Sequence, residues 1–121
     1  MGKKACLAPA EKLEQYSRLI RTQPDIEIKG AGTPYTSLNG HMFTFLSETG
    51  ALALRLPKDE RERFLKEFNT SLFLAHGAVL KEYVAVPENL LEDTDLLKPY
   101  LAMSYEYAKT LKPKPGKEGS S

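Results

Sequence analysis

Tryptophan is absent from this chain, cysteine occurs once and histidine twice among 121 residues. A single cysteine, Cys6, excludes an internal disulfide and fits a reducing compartment. Two histidines, His41 and His76, are too few for a histidine metal centre of about three protein ligands. Neither shows ligand spacing to a partner, so no metal and no cofactor is expected, and both read as turn residues. No apolar run approaches the roughly 20 residues that a membrane-spanning helix needs. Charge of one sign is also missing. Seventeen basic side chains against sixteen acidic ones leave a net charge of +1, without the basic footprint of a nucleic-acid-binding domain.

Catalytic signatures are missing too. Cys6 has no base in view to activate it, and Ser37, Ser47, Ser71 and Ser104 lack the G-x-S-x-G setting of an exposed nucleophile. The glycines of Gly30-Ala31-Gly32 lack a third glycine in register and run into Pro34 rather than a helix, which excludes a dinucleotide loop. The acidic groups Glu11/Glu14 and Glu92/Asp93/Asp95 lie on helix starts or connectors, and roles as caps and dipole partners explain them. No catalytic or cofactor-binding residue is therefore assigned, and the chain is not expected to be an enzyme. The N-terminus M-G-K-K-A-C lacks the apolar core of a signal peptide, and Cys6 stands where a myristoylation site wants Ser or Thr. A cytoplasmic location is expected.

What is present is ordinary globular composition, 41% hydrophobic and 27% charged, in a length that suits one domain. The most informative stretch is Tyr35–Leu56, where three apolar-rich runs are separated by Asn39-Gly40 and by Glu48-Thr49-Gly50. Asn-Gly between strand-like runs marks a hairpin, because a type I′ turn needs positive φ twice. A three-stranded antiparallel meander follows. A helix is predicted over about Ala8–Thr22, with an apolar stripe of Leu13, Tyr16, Leu19 and Ile20. A second is predicted over about Lys58–Asn69, with Phe64, Leu65 and Phe68 inward and Asp59–Arg63 and Glu62–Lys66 as ion pairs.

A second hairpin is predicted from Leu72–Ala75 and Val79–Val86, with Tyr83 and Ala85 on one face and Val84 and Val86 on the other. A helical turn follows at Glu88–Glu92. The last helix is expected to begin near Lys98, because Pro99 fits only a first turn. Its inward face reads Leu97, Leu101, Ser104, Tyr105, Ala108 and Leu111, with Tyr100 at the edge and Tyr107 outward. The fold class is thus α+β, a two-layer antiparallel sheet with helices in the order α-β-β-β-α-β-β-α. Residues 1–8 read as a flexible N-terminus, 9–111 as one domain, and K-P-K-P-G-K-E-G-S-S at 112–121 as a disordered polar tail.

Two segments carry a resemblance. Tyr35–Leu56 with its N-G-H-M-F turn, followed by R-L-P-K-D-E-R-E-R-F at 55–64, resembles the N-terminal domain of the TfoX/Sxy competence regulators. So does K-E-Y-V-A-V-P-E-N-L-L at 81–91, which looks like that family's closing strand. The resemblance spans about residues 9–111 and implies the same element order in a stand-alone version of that domain. It implies a regulatory or protein-interaction module and supplies no catalytic or ligand residues. The partner implied is another protein or a second copy, giving a possible dimer. Alternative readings are a small-ligand-binding protein or enzyme with a pocket between sheet and helices, and a weak nucleic-acid binder acting through a local basic patch.

Overall fold

The computed structural model describes residues 8–112 except Ala31 and His76. Cys6, the His76 turn and residues 113–121 of the tail lie outside the described residues. The chain forms α1 (Ala10–Ile20), β1 (Tyr35–Leu38), β2 (His41–Leu46), β3 (Leu52–Arg55), α2 (Lys58–Glu67), β4 (Leu72–Ala75), β5 (Ala78–Val86), α3 (Glu88–Leu91) and α4 (Thr94–Thr110). The five strands make one antiparallel sheet in the order β1-β2-β3-β5-β4, and the fold is α+β as expected.

Local chemistry accounts for most of these boundaries. Asn39 and Gly40 both have positive φ, 56° and 83°, as a type I′ hairpin turn demands. Pro9, Pro57 and Pro87 each stand just before a helix, where the missing N–H is harmless. The core lies between the sheet and the helices. Phe43, Leu46, Leu52, Leu54, Val84 and Val86 point from the strands toward Tyr16, Leu19, Phe64, Leu97 and Leu101 on the helices. Val84 and Val86 face this core and Tyr83 and Ala85 the opposite side, as the alternation predicts.

A polar thread crosses this core. The Tyr16 hydroxyl lies 2.7 Å from Thr44 Oγ1, which lies 2.8 Å from Thr36 Oγ1, and all three side chains are buried. Burial pushes the Tyr16 phenol well above its usual pKa, so it remains a neutral hydroxyl.

Several readings need correction. The last helix begins at Thr94, with Asp93 as its cap accepting from the Leu96 N–H at 3.2 Å, so Pro99 lies inside the helix. The cap and the burial of Leu97 outweigh the one backbone hydrogen bond that proline removes. On α2 the ion pair formed is Glu60–Arg63 at 3.0 Å rather than the predicted i,i+4 pairs. Phe64 is fully buried, but Phe68 caps the end of α2 and is only partly buried. Ala8, read as part of the flexible N-terminus, is 7% exposed and packs in the core.

Candidate functional site

Three surface features stand out, all created by the way α4 and the β4–β5 hairpin close on the sheet.

The first is a polar cluster at the end of β3. Arg55 bonds Glu82 through Nη2 at 2.7 Å and Nε at 2.8 Å, and donates to the Met42 carbonyl at 3.4 Å. Its guanidinium carbon sits 5.6 Å from the Tyr83 ring and 5.9 Å from the Tyr107 ring. The Tyr107 hydroxyl donates to the other Glu82 oxygen at 3.1 Å, and the Tyr83 hydroxyl to the Met42 carbonyl. Tyr107 therefore turns onto the sheet's end instead of outward, because Arg55 and Glu82 offer it a partner there. Burial opposes ionisation of Glu82. Hydrogen bonding and charge from Arg55, then the Tyr107 hydroxyl and the Arg61 charge, outweigh it and hold the carboxyl below its usual value. The cluster's donors and acceptors are spent on one another, so it latches α4 to the sheet and offers little to a substrate.

The second feature is a groove of about 550 Å³ along α4 beside the start of α2. Ala102, Met103 and Tyr107 make its floor, with Pro99 and Thr110 toward its two ends and Pro57, which caps α2, on its flank. Among the described residues its only charged lining ones are Glu60 and Glu106. Their paired cations do not line it. Arg63 is largely exposed on α2, and the Lys109 ammonium is drawn over the Tyr105 ring at 4.6 Å. Sequence reading missed the groove because Pro99 had been set at the helix start. The i,i+4,i+8 spacing of Pro99, Met103 and Tyr107 becomes a stripe only once the helix runs through from Thr94.

The third is the free edge of the sheet at β4. The pairing of β4 with β5 jumps from Leu72↔Val84 to Phe73↔Leu80, leaving Lys81–Tyr83 as a wide bulge. The hairpin tip then pairs Leu74 with Val79, and these are the exposed large hydrophobics of the described residues, at 64% and 51%. The opposite edge is protected. The Lys29 backbone bonds Tyr35 in both directions, at 2.7 and 2.9 Å, and the Lys29 ammonium donates to Ser37 at 3.0 Å. On β4 the run Thr70–Ala75 carries neither charge nor proline.

Of the two histidines, His41 opens β2 and its ring Nε2–H donates to the Lys112 carbonyl, tying the end of α4 to the first hairpin. Among the described residues no three His, Cys, Asp or Glu side chains come together as metal ligands would. No described helix is long and apolar enough to cross a membrane. Serines fall in structural roles. Ser104 donates to the Phe43 carbonyl at 3.3 Å, and Ser47 accepts from the Ala51 N–H and pairs with Thr49. Tyr35, Phe45 and Tyr83 share the sheet face away from the helices, whereas Phe43 belongs to the main core.

No family model, curated protein or solved structure matches the chain.

Proposed function

We infer that this chain is a non-enzymatic protein-interaction module that pairs with a second copy of itself through β4. The carrying observation is the undefended edge: the uncharged strand β4, with Leu74 exposed near its end beside the exposed Val79 of β5, on a sheet whose other edge is covered. Antiparallel pairing of β4 with its twofold mate brings no like charges together and satisfies backbone groups on both copies. One strand pair buries less than the roughly 1,200 Å² at which stable interfaces begin, so the association is weak and concentration-dependent. The resemblance to the TfoX N-terminal domain agrees with this reading. The element order it implies is the order found, and a regulatory domain works through protein contacts.

The ligand-binding alternative has less support. The groove on α4 offers an apolar floor without convergent polar groups to orient a metabolite. The cleft beside the hairpin tip has Ser47 and Thr49 hydrogen-bonded to each other. Sedimentation over a range of concentrations tests the reading. The average mass is expected to rise with concentration in the native chain and to stay at the monomer value in Leu74→Lys and Val79→Lys. A native chain that is monomeric at its highest attainable concentration would end the self-pairing part. A metabolite that binds specifically and raises the melting temperature would favour the ligand-binding alternative.

A further inference from the structure

We propose, resting on the self-pairing of β4, that the two copies meet about a twofold axis at Phe73, so that Leu72 of each stands opposite Leu74 of the other. The backbone groups still on offer along the edge select this register.

The pairing of β4 with β5 decides which groups those are. Ala75 pairs with Ala78 across a two-residue turn, so these two exchange hydrogen bonds with each other. Leu74 opposite Val79 is then a non-hydrogen-bonded pair, and Phe73 opposite Leu80 is bonded again. On the far side of the bulge the Ala85 N–H donates to the Ser71 carbonyl at 2.9 Å, so Leu72 opposite Val84 is also non-hydrogen-bonded. Leu72 and Leu74 therefore turn their N–H and C=O groups outward. Among the described residues no loop or helix backbone bonds them.

A second antiparallel strand bonds this edge only where outward residues face outward residues. Leu72 against the partner's Leu74 uses both outward residues of β4, with two bonds in each pair. Shifted toward the start of the strand, Leu74 would need Thr70. The Thr70 N–H is already given to the Leu65 carbonyl at 3.0 Å, just after Asn69 turns the chain at φ 50°. Shifted toward the tip, Leu72 would face the turn beyond Ala75, outside the strand, and only a Leu74 pair would remain.

The side chains agree. Alternation puts Phe73 on the face that holds Phe45, and Leu72 and Leu74 on the other. In this register each Leu74, 64% exposed, is covered by the partner's Leu72, with Val79 beside it on β5. The Lys29 bonds close the edge at β1, so pairing ends at two copies instead of growing into a filament.

The test uses the full chain with Cys6→Ser, which removes its native thiol. Leu72→Cys and Leu74→Cys chains, one of them size-tagged, are oxidised separately and as a mixture. In the proposed register the unlike residues lie about 5.5 Å apart between Cα atoms, within disulfide reach. Like residues are offset by two positions and lie roughly 9 Å apart, beyond it. The mixture is expected to form the heterodisulfide about tenfold faster than either chain forms its homodisulfide. Hydrogen exchange of the native chain supplies a measurement free of substitutions. The Leu72 and Leu74 amides are expected to gain protection as concentration rises, and those of Phe73 and Ala75, already bonded to β5, to change less. A homodisulfide forming as fast from either chain alone would overturn the register and leave self-pairing standing. Rising mass with the Leu72 and Leu74 amides unprotected would show that another surface pairs, and would overturn it too. A native chain that stays monomeric and a mixture that forms no disulfide would end the self-pairing and the register together.

Discussion

Phe73 on β4 meets Phe45 on β2 edge to face, ring centroids 5.0 Å apart, although β3 and β5 lie between their strands in the sheet. Two features allow this. The wide bulge at Lys81–Tyr83 bends the hairpin, and the side chain on the β3 face beneath is only a methyl, Ala53, which is fully buried. The hairpin tip is thereby folded over the sheet's second face and held by one aromatic pair.

Phe73→Ala should therefore loosen the tip more than the rest of the domain. A loss of about 3 kcal/mol is expected from truncating a nearly buried phenylalanine. Hydrogen exchange should show amides of Ala78–Leu80 losing protection before those of β2 and β3. Uniform loss of protection across the sheet would show that the tip is not a separate unit.

The two phenylalanines of α2 should differ. Phe64 is fully buried against Tyr100 and Phe68, with ring centroids 5.1 and 4.7 Å away, and Phe64→Ala should cost about 3–5 kcal/mol. Phe68 is part-exposed at the helix end, and Phe68→Ala should cost about half as much or less. Equal losses in urea titrations would contradict the burial difference.

The fold was legible because its signals are local. Asn39-Gly40 announces its turn, alternation assigns Val84 and Val86 to the core, and prolines mark helix starts. The surfaces were not, because each depends on a choice among competing local forces. Pro99 reads as a helix start until the Asp93 cap and the buried Leu97 are weighed against it. Tyr107 reads as outward until Arg55 and Glu82, far away in sequence, are placed beneath it. The bulge that folds Phe73 onto Phe45 has no signature in K-E-Y at all, since the register shift comes from tertiary packing.

Acid should act through Glu82. Its folded-state pKa lies below the ordinary 4.5, so the carboxylate contributes stability above that value. The contribution is lost as pH falls below about 4.5 through the depressed folded value. Because Glu82 is about a third exposed, the effect is small and screened by salt. Glu82→Gln should flatten the acid limb of a melting-temperature profile, and high salt should narrow the difference. A variant whose profile parallels the native one below pH 4.5 would show that the Arg55–Glu82–Tyr107 latch does not contribute.

The hydroxyl thread makes a sharper comparison, because Thr44 is its middle member. Tyr16→Phe removes one hydroxyl and leaves Thr44 still bonded to Thr36, so about 1 kcal/mol should be lost. Thr44→Val keeps the volume and removes the shared partner, so the buried Tyr16 and Thr36 hydroxyls lose the short bonds at 2.7 and 2.8 Å that they make to it. Each stranded buried group costs about 1–3 kcal/mol, so this variant should lose several times more than Tyr16→Phe. The double variant Tyr16→Phe/Thr44→Val should then recover part of that loss, since one stranded hydroxyl has gone. Urea denaturation of the three variants decides the matter. If the losses simply add, the two side chains are not energetically coupled and the thread is only proximity.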